Sequence, residues 1–134
     1  MTDAPILAPL NERQRDAVAS ASSQVLVLAG AGSGKTRVLV HRVAWYLDTG
    51  QASPHGILAV TFTNKAATEM RSRIETLIRR PIGGMWVGTF HNIAHRILRA
   101  HWREAGLPEH FQIIDSEDQQ RVIRRAIRGL DLDN

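Results

Sequence analysis

The residues best equipped for chemistry are Ala29-Gly30-Ala31-Gly32-Ser33-Gly34-Lys35-Thr36. Closely spaced glycines let consecutive backbone N–H groups curve around phosphate oxygens, and a helix starting just after them adds the positive end of its dipole. Lys35 can reach the outer phosphates and Thr36 can hold Mg²⁺ through its hydroxyl, which makes these two the candidate catalytic residues. The whole run from Ala29 to Thr36 is therefore a candidate site for ATP with Mg²⁺. The strict Walker A pattern has glycine where this chain has Ala29, a small departure. A dinucleotide fingerprint fits worse, because counting from Gly30 and Gly32 its third glycine falls on Lys35.

Such a loop works between a strand and a helix. Val25 to Leu28 is a short aliphatic run that predicts a buried strand before it, and Lys35 to Asp48 has helical spacing after it, with Gly50 near its end as a stop. Upstream, Asn11-Glu-Arg-Gln14 has the spacing of a capping box, so a helix should start there and run towards Ala21. Downstream, a second buried strand is predicted at Ile57 to Phe62, then a helix from Asn64 to Arg79 with Ala67, Met70, Ile74, Leu77 and Ile78 on one face. Pro81 and Gly83-Gly84 end that helix. Met85 to Gly88 reads as a third strand, and Phe90 to Ala105 as a helix stopped by Gly106-Leu-Pro108. Ser116-Glu-Asp-Gln119 has capping-box spacing too, opening a last helix with Val122, Ile123, Ala126, Ile127 and Leu130 as its apolar residues. Strands alternating with helices predict an α/β fold with a parallel, three-stranded sheet and flanking helices.

Composition narrows the class. With 134 residues, 43% hydrophobic and 22% charged, the chain is one domain's worth and too apolar to be disordered throughout. The absence of cysteine excludes disulfides and thiolate metal sites and fits a reducing compartment. The apolar run from Val25 to Gly32 is far shorter than the ~20 residues of a membrane span, and Asp3 stands where a secretory signal carries basic residues. A cytoplasmic protein with no membrane partner is expected. The net charge is +4, and residues 61–110 hold eight basic and four acidic groups. That excess suits either a polyanionic partner or helix faces solvated by arginine.

Four segments in order, Leu10-Asn-Glu-Arg-Gln14, Ala29 to Arg37, Ala59-Val-Thr-Phe-Thr-Asn-Lys-Ala-Ala67 and Val87-Gly-Thr-Phe-His-Asn-Ile-Ala-His-Arg-Ile-Leu98, together resemble the first motifs of superfamily-one DNA helicases of the UvrD/Rep/PcrA type. The resemblance covers nearly the whole chain from Leu10. It implies a partial RecA-like P-loop NTPase domain: residues 1–110 as the amino-terminal half of the first RecA-like domain, and 111–134 as the start of a helical insertion subdomain. It further implies an ATP-dependent helicase that moves 3′-to-5′ on single-stranded DNA, unwinds at duplex junctions and serves DNA repair. The remainder of such a helicase would lie outside these residues, so the 134 residues alone should neither hydrolyse ATP nor unwind DNA. An open sheet edge should also favour self-association. A non-hydrolytic module that binds single-stranded nucleic acid, its loop gripping backbone phosphates, is the alternative.

By the same resemblance Gln14 recognises the adenine edge, although it equally occupies the N3 position of the capping box. Arg37 matches a nucleotide-proximal arginine or is a solvated helix residue. Phe62 offers a ring for base stacking or belongs to the core, and Asn64 contacts DNA, caps a helix, or does both. Thr89 and His91 would hydrogen-bond DNA phosphates or sugars. Two other patterns carry less. His91 and His95 have the spacing of zinc-protease ligands, but Asn92 stands in place of the general base. Phe111-Gln-Ile-Ile-Asp115 looks like a strand ending in a Walker B acid, yet the helix start that follows explains Asp115 and Glu117 better.

Overall fold

A computed structural model describes residues 5–130. Helix α1, Glu12–Ala19, is opened by Asn11 through both bonds of a capping box: Asn11 Oδ1 accepts from Gln14 N at 2.9 Å, and Gln14 Oε1 accepts from Asn11 N at 3.1 Å. Helix α2 spans Lys35–Asp48. Its buried face carries Val38, Val40, Val43, Ala44 and Leu47, and the Thr49 N–H and hydroxyl both close on the Trp45 carbonyl before Gly50 turns left-handed. Strand β1, Leu58–Thr61, is followed by α3, Asn64–Ile78; strand β2, Trp86–Thr89, is followed by α4, Phe90–Ala100, and the last helix is α5, Ser116–Gly129.

The two strands lie parallel, with Leu58 opposite Trp86 and Thr61 opposite Thr89, and α3 packs on both as their crossover. The core forms where α2, α3 and β1 meet. Val40, Val43 and Leu47 meet Met70 and Ile74 from α3, Ala59 from β1, and Ile82 and Met85 from the stretch before β2. The expected α3 face is thus confirmed, with Ala67, Met70 and Ile74 buried and Leu77 and Ile78 packed at the edge. A smaller cluster of Leu10, Val18 and Val38 joins α1 to α2.

Three expectations need correction. Val25 to Leu28 is not a strand, so the sheet has two strands among the described residues rather than three. A strand exists only by pairing, and among the described residues no strand lies beside this run. Leu26 and Leu28 stand 82% and 84% exposed, so the run is not covered as a buried strand would be. The predicted helix from Phe90 to Ala105 is regular only to Ala100. It then turns on, and Leu107 N donates to Trp102 O and Gly106 N to Arg103 O around a left-handed Gly106, the bonds of a Schellman stop. Finally, α5 is capped not by Ser116 but by Asp115, whose carboxylate accepts from Asp118 N at 2.8 Å. Phe111 to Asp115 is irregular.

The chain divides into two compact units, one ending at Arg96 and one beginning at Ile97, with α4 running from the first into the second. In the second unit Arg99 lies over the Phe111 ring at 4.6 Å, and α5 has no buried residue. No helix among the described residues is long and apolar enough to cross a membrane.

Candidate nucleotide and nucleic-acid sites

The loop from Ala29 to Gly34 ends on a glycine that serves as the N-cap of α2 with φ +87°, a left-handed backbone that disfavours any side chain. Gly32 is left-handed too, at φ +74°. Within the loop, Ser33 donates its hydroxyl and its N–H to the Gly30 carbonyl, and Lys35 Nζ donates to the Ala29 carbonyl at 2.6 Å. The lysine therefore folds back along the loop it follows. A methyl group built on Gly30 or Gly32 meets nothing within 4 Å, so the loop's outer surface is open to an incoming group. A methyl on Gly34 would lie 2.8 Å from the Gln14 side-chain nitrogen.

That last distance relates α1 to the loop. Gln14 spends its carbonyl oxygen on the capping box and brings its amide NH₂ against Gly34. The capping role and a loop-facing amide coexist in one side chain. A cleft of about 250 Å³ opens here, lined by Asn11, Gln14, Ala29, Ser33, Lys35 and Val38 among others. Thr36 and Arg37 are exposed at the start of α2, and Arg37 donates to the Pro9 carbonyl at 2.8 Å. Arg37 is thus tied to the segment that leads into α1.

Arg42 completes the attachment, a role that residue spacing does not reveal. Its guanidinium donates to the carbonyls of Ala17 at 2.7 Å, Val18, Ser20 and Ser22, and to the Tyr46 hydroxyl. The last turn of α1 has no basic residue of its own, so α2 supplies the cation that its C-terminal carbonyls favour. Buried His41 donates Nδ1–H to the Ile6 carbonyl at 2.6 Å. Together these bonds hold α1, and with it Gln14, in register with the glycine loop.

The second group lies at the carboxyl ends of β1 and β2, a usual position for ligands in open α/β sheets. Phe62 is 89% exposed, so it is not core. Its ring stands 5.3 Å from that of Phe90, centroid to centroid, with the planes at 47°. Thr63, not Asn64, caps α3 by accepting from Ala66 N at 3.1 Å. Asn64 is free of the cap, and its Oδ1 accepts from Asn92 Nδ2 at 2.9 Å. Thr89 is buried, and its hydroxyl accepts from Asn92 N at 3.2 Å, starting α4. His91 is exposed on the first turn of that helix. The structure therefore brings Phe62, Asn64, Thr89 and His91 to one rim and adds Phe90 and Asn92, to which the sequence reading gave no role. The clue was present: an aromatic directly after a strand, beside a threonine, repeats the Thr61-Phe62 pattern in Thr89-Phe90. At the other end of β2 from the rim, Arg96 lies over the Trp86 ring at 4.2 Å.

Comparison with known proteins gives these two groups a context. The chain is 62% identical over 128 residues to DNA helicase II of Salmonella typhimurium and 61% identical to that of Escherichia coli, in each case over 96% of this chain and 18% of the relative. It is 45% identical over 125 residues to the ATP-dependent DNA helicase PcrA of Staphylococcus epidermidis, over 93% of this chain and 17% of that protein. The chain thus spans about a fifth of the length of these curated relatives. The model of the UvrD/REP helicase N-terminal domain matches residues 10–134, and the chain belongs to that family.

Proposed function

We propose that this chain is the ATP-binding part of an ATP-dependent DNA helicase, built as a piece of a RecA-like P-loop domain whose amino-terminal half is residues 1–110 and whose helical insertion begins at 111. The observation that carries the nucleotide site is the convergence at Gly34: a left-handed glycine at the start of α2, Lys35 directly after it, and the Gln14 amide against it. Backbone N–H groups of Gly30 to Gly34 suit a triphosphate, which the open surface of the loop admits. Lys35 would exchange the Ala29 carbonyl for the outer phosphates, and Thr36 would hold Mg²⁺ through its hydroxyl. The metal supplies charge neutralisation on the phosphates when bound. Gln14, held by its cap, would give its NH₂ to the adenine edge. Arg37 acts through the Pro9 carbonyl by fixing the segment that leads to Gln14.

The rim at Phe62, Asn64 and His91, with Thr89 behind it, is the single-stranded DNA contact in this reading. Exposed rings stack bases of any sequence, and the first turns of α3 and α4 contain no acid to repel phosphate. Thr89 serves from behind, as the buried cap that orients Asn92 and His91. Translocation 3′-to-5′, unwinding at duplex junctions and a role in DNA repair inside the cell belong to the longer protein in this reading, as does hydrolysis. The test is Lys35→Ala in a chain of the relatives' length that carries this sequence. DNA-stimulated ATP hydrolysis is expected to fall at least a hundredfold, as loss of a charged phosphate contact does, while oligonucleotide affinity stays within about twofold. Undiminished hydrolysis would overturn the assignment of the loop.

A further inference from the structure

Phe62 and Phe90 are 28 positions apart, the first just after β1 and the second at the start of α4, and both are exposed, yet their rings stand as a pair. Neither ring is held by a core. Each segment is fixed to its own helix, the first by the Thr63 cap on α3 and the second by the Thr89 hydroxyl at the start of α4. The strand pairing that sets Thr61 opposite Thr89 brings the two segments side by side, and beyond it the amide of Asn92 reaches from α4 to Asn64 at the start of α3. We propose that Asn92 is a positioning residue for unpaired DNA: its bridge to Asn64 ties the first turns of α3 and α4 together beyond the end of the strand ladder, so that Phe62 and Phe90 present one two-ring stacking platform to a base.

The proposal rests on the reading of the rim as a DNA interface and extends it in two respects. It makes Phe90 a second stacking ring, tilted 47° to the first, which gives a base a shallow angled seat instead of a single flat face. It also sets what Asn64 offers. With Oδ1 engaged by Asn92, the remaining Asn64 hydrogens are N–H donors, which suit phosphate oxygens and the acceptor atoms of bases. The surroundings agree in sign: Lys65 and His91 are exposed on the first turns of α3 and α4, neither of which contains an acid there. A single strand fits better than a duplex because its bases are available to stack on protein rings.

The experiment titrates the protein with a single-stranded oligodeoxythymidine carrying one 2-aminopurine, reading affinity by anisotropy and stacking by quenching of the base's own emission. Asn92→Ala is expected to weaken binding roughly 5- to 20-fold, within the range that a lost base stack produces, and to relieve part of the quenching without lowering the unfolding midpoint. In the Asn64→Ala background the same change should have no further effect, the signature of two residues acting through one bond. Native binding and quenching in folded Asn92→Ala, alongside loss of both in Phe62→Leu, would overturn the proposal while leaving the DNA interface intact. Failure of the unsubstituted protein to bind the oligonucleotide would overturn the interface reading and the proposal with it. Should Asn92→Ala not fold, Phe90→Leu decides: diminished quenching supports the paired platform, and unchanged quenching overturns it.

Discussion

Two short runs containing Leu and Val, both expected as strands, meet different fates in this molecule. Leu58 to Thr61 pairs with β2 and rests on α3, burying Ala59, whereas Val25 to Leu28 is irregular and exposed along its whole length. By residue type alone Val25 to Leu28 suits extended backbone at least as well as the run with Ala59. The difference is the company each keeps: β1 has a neighbour to take its hydrogen bonds and a helix to cover one face, and Val25 to Leu28 has no strand partner among the described residues. Strand propensity is a statement about fitting a pleated, covered surface, so a run without that surface does not express it.

The comparison can be broken or sharpened in order of expected effect. Ile74, fully buried under β1, is the strongest test of the covered run. Ile74→Ala should destabilise the protein by about 2–5 kcal/mol in equilibrium urea unfolding, the usual range for truncating a fully buried aliphatic side chain. A loss under about 1 kcal/mol would mean that α3 does not support the sheet. An intermediate effect is expected at α1, which holds Gln14 beside the loop that follows the unpaired run. Asn11→Ala removes one bond of the capping box and should cost about 1 kcal/mol, read in the same unfolding experiment. The smallest effect belongs to the unpaired run itself. Leu28→Ala should change stability by no more than about 0.5 kcal/mol, as exposed substitutions do. Hydrogen exchange sharpens the point: Val25 to Leu28 amides should exchange near the rate of an unfolded chain, while Ala59 to Thr61 amides are protected. Strong protection of Val25 to Leu28 would show that the run finds a partner in solution.

Much of the architecture was legible because it is local. The capping box at Asn11, the bounds of α2 and the buried face of α3 follow from periodicity and caps, and each occurs as the residues predict. What was not legible depended on distant partners or on a choice between neighbouring residues of the same capability. The sequence cannot say whether Val25 to Leu28 has a neighbour, nor that Asp115 rather than Ser116 takes the cap of α5, since both carry oxygen acceptors at suitable places. The same division runs through the candidate sites. The glycine loop is visible as a spacing, but the Gln14 amide against Gly34, the carbonyl cluster around Arg42 and the Asn64–Asn92 bridge join residues up to 28 positions apart. Phe62 illustrates the limit well. Its type suits a core as much as a stacking platform, and only its exposure decides between them.

The central claim is that the loop at Gly34 and the rim at Phe62 are separate sites for separate ligands, and calorimetry of both ligands on one sample tests it most directly. ATP with Mg²⁺ is titrated into the protein alone and into the protein saturated with single-stranded oligodeoxythymidine, then both titrations are repeated with Lys35→Ala. The account predicts one equivalent of ATP bound in either case, abolished by Lys35→Ala, with oligonucleotide affinity unchanged by that substitution. Oligonucleotide that displaces ATP in proportion to its own occupancy, or a folded protein that takes up no ATP, would contradict it.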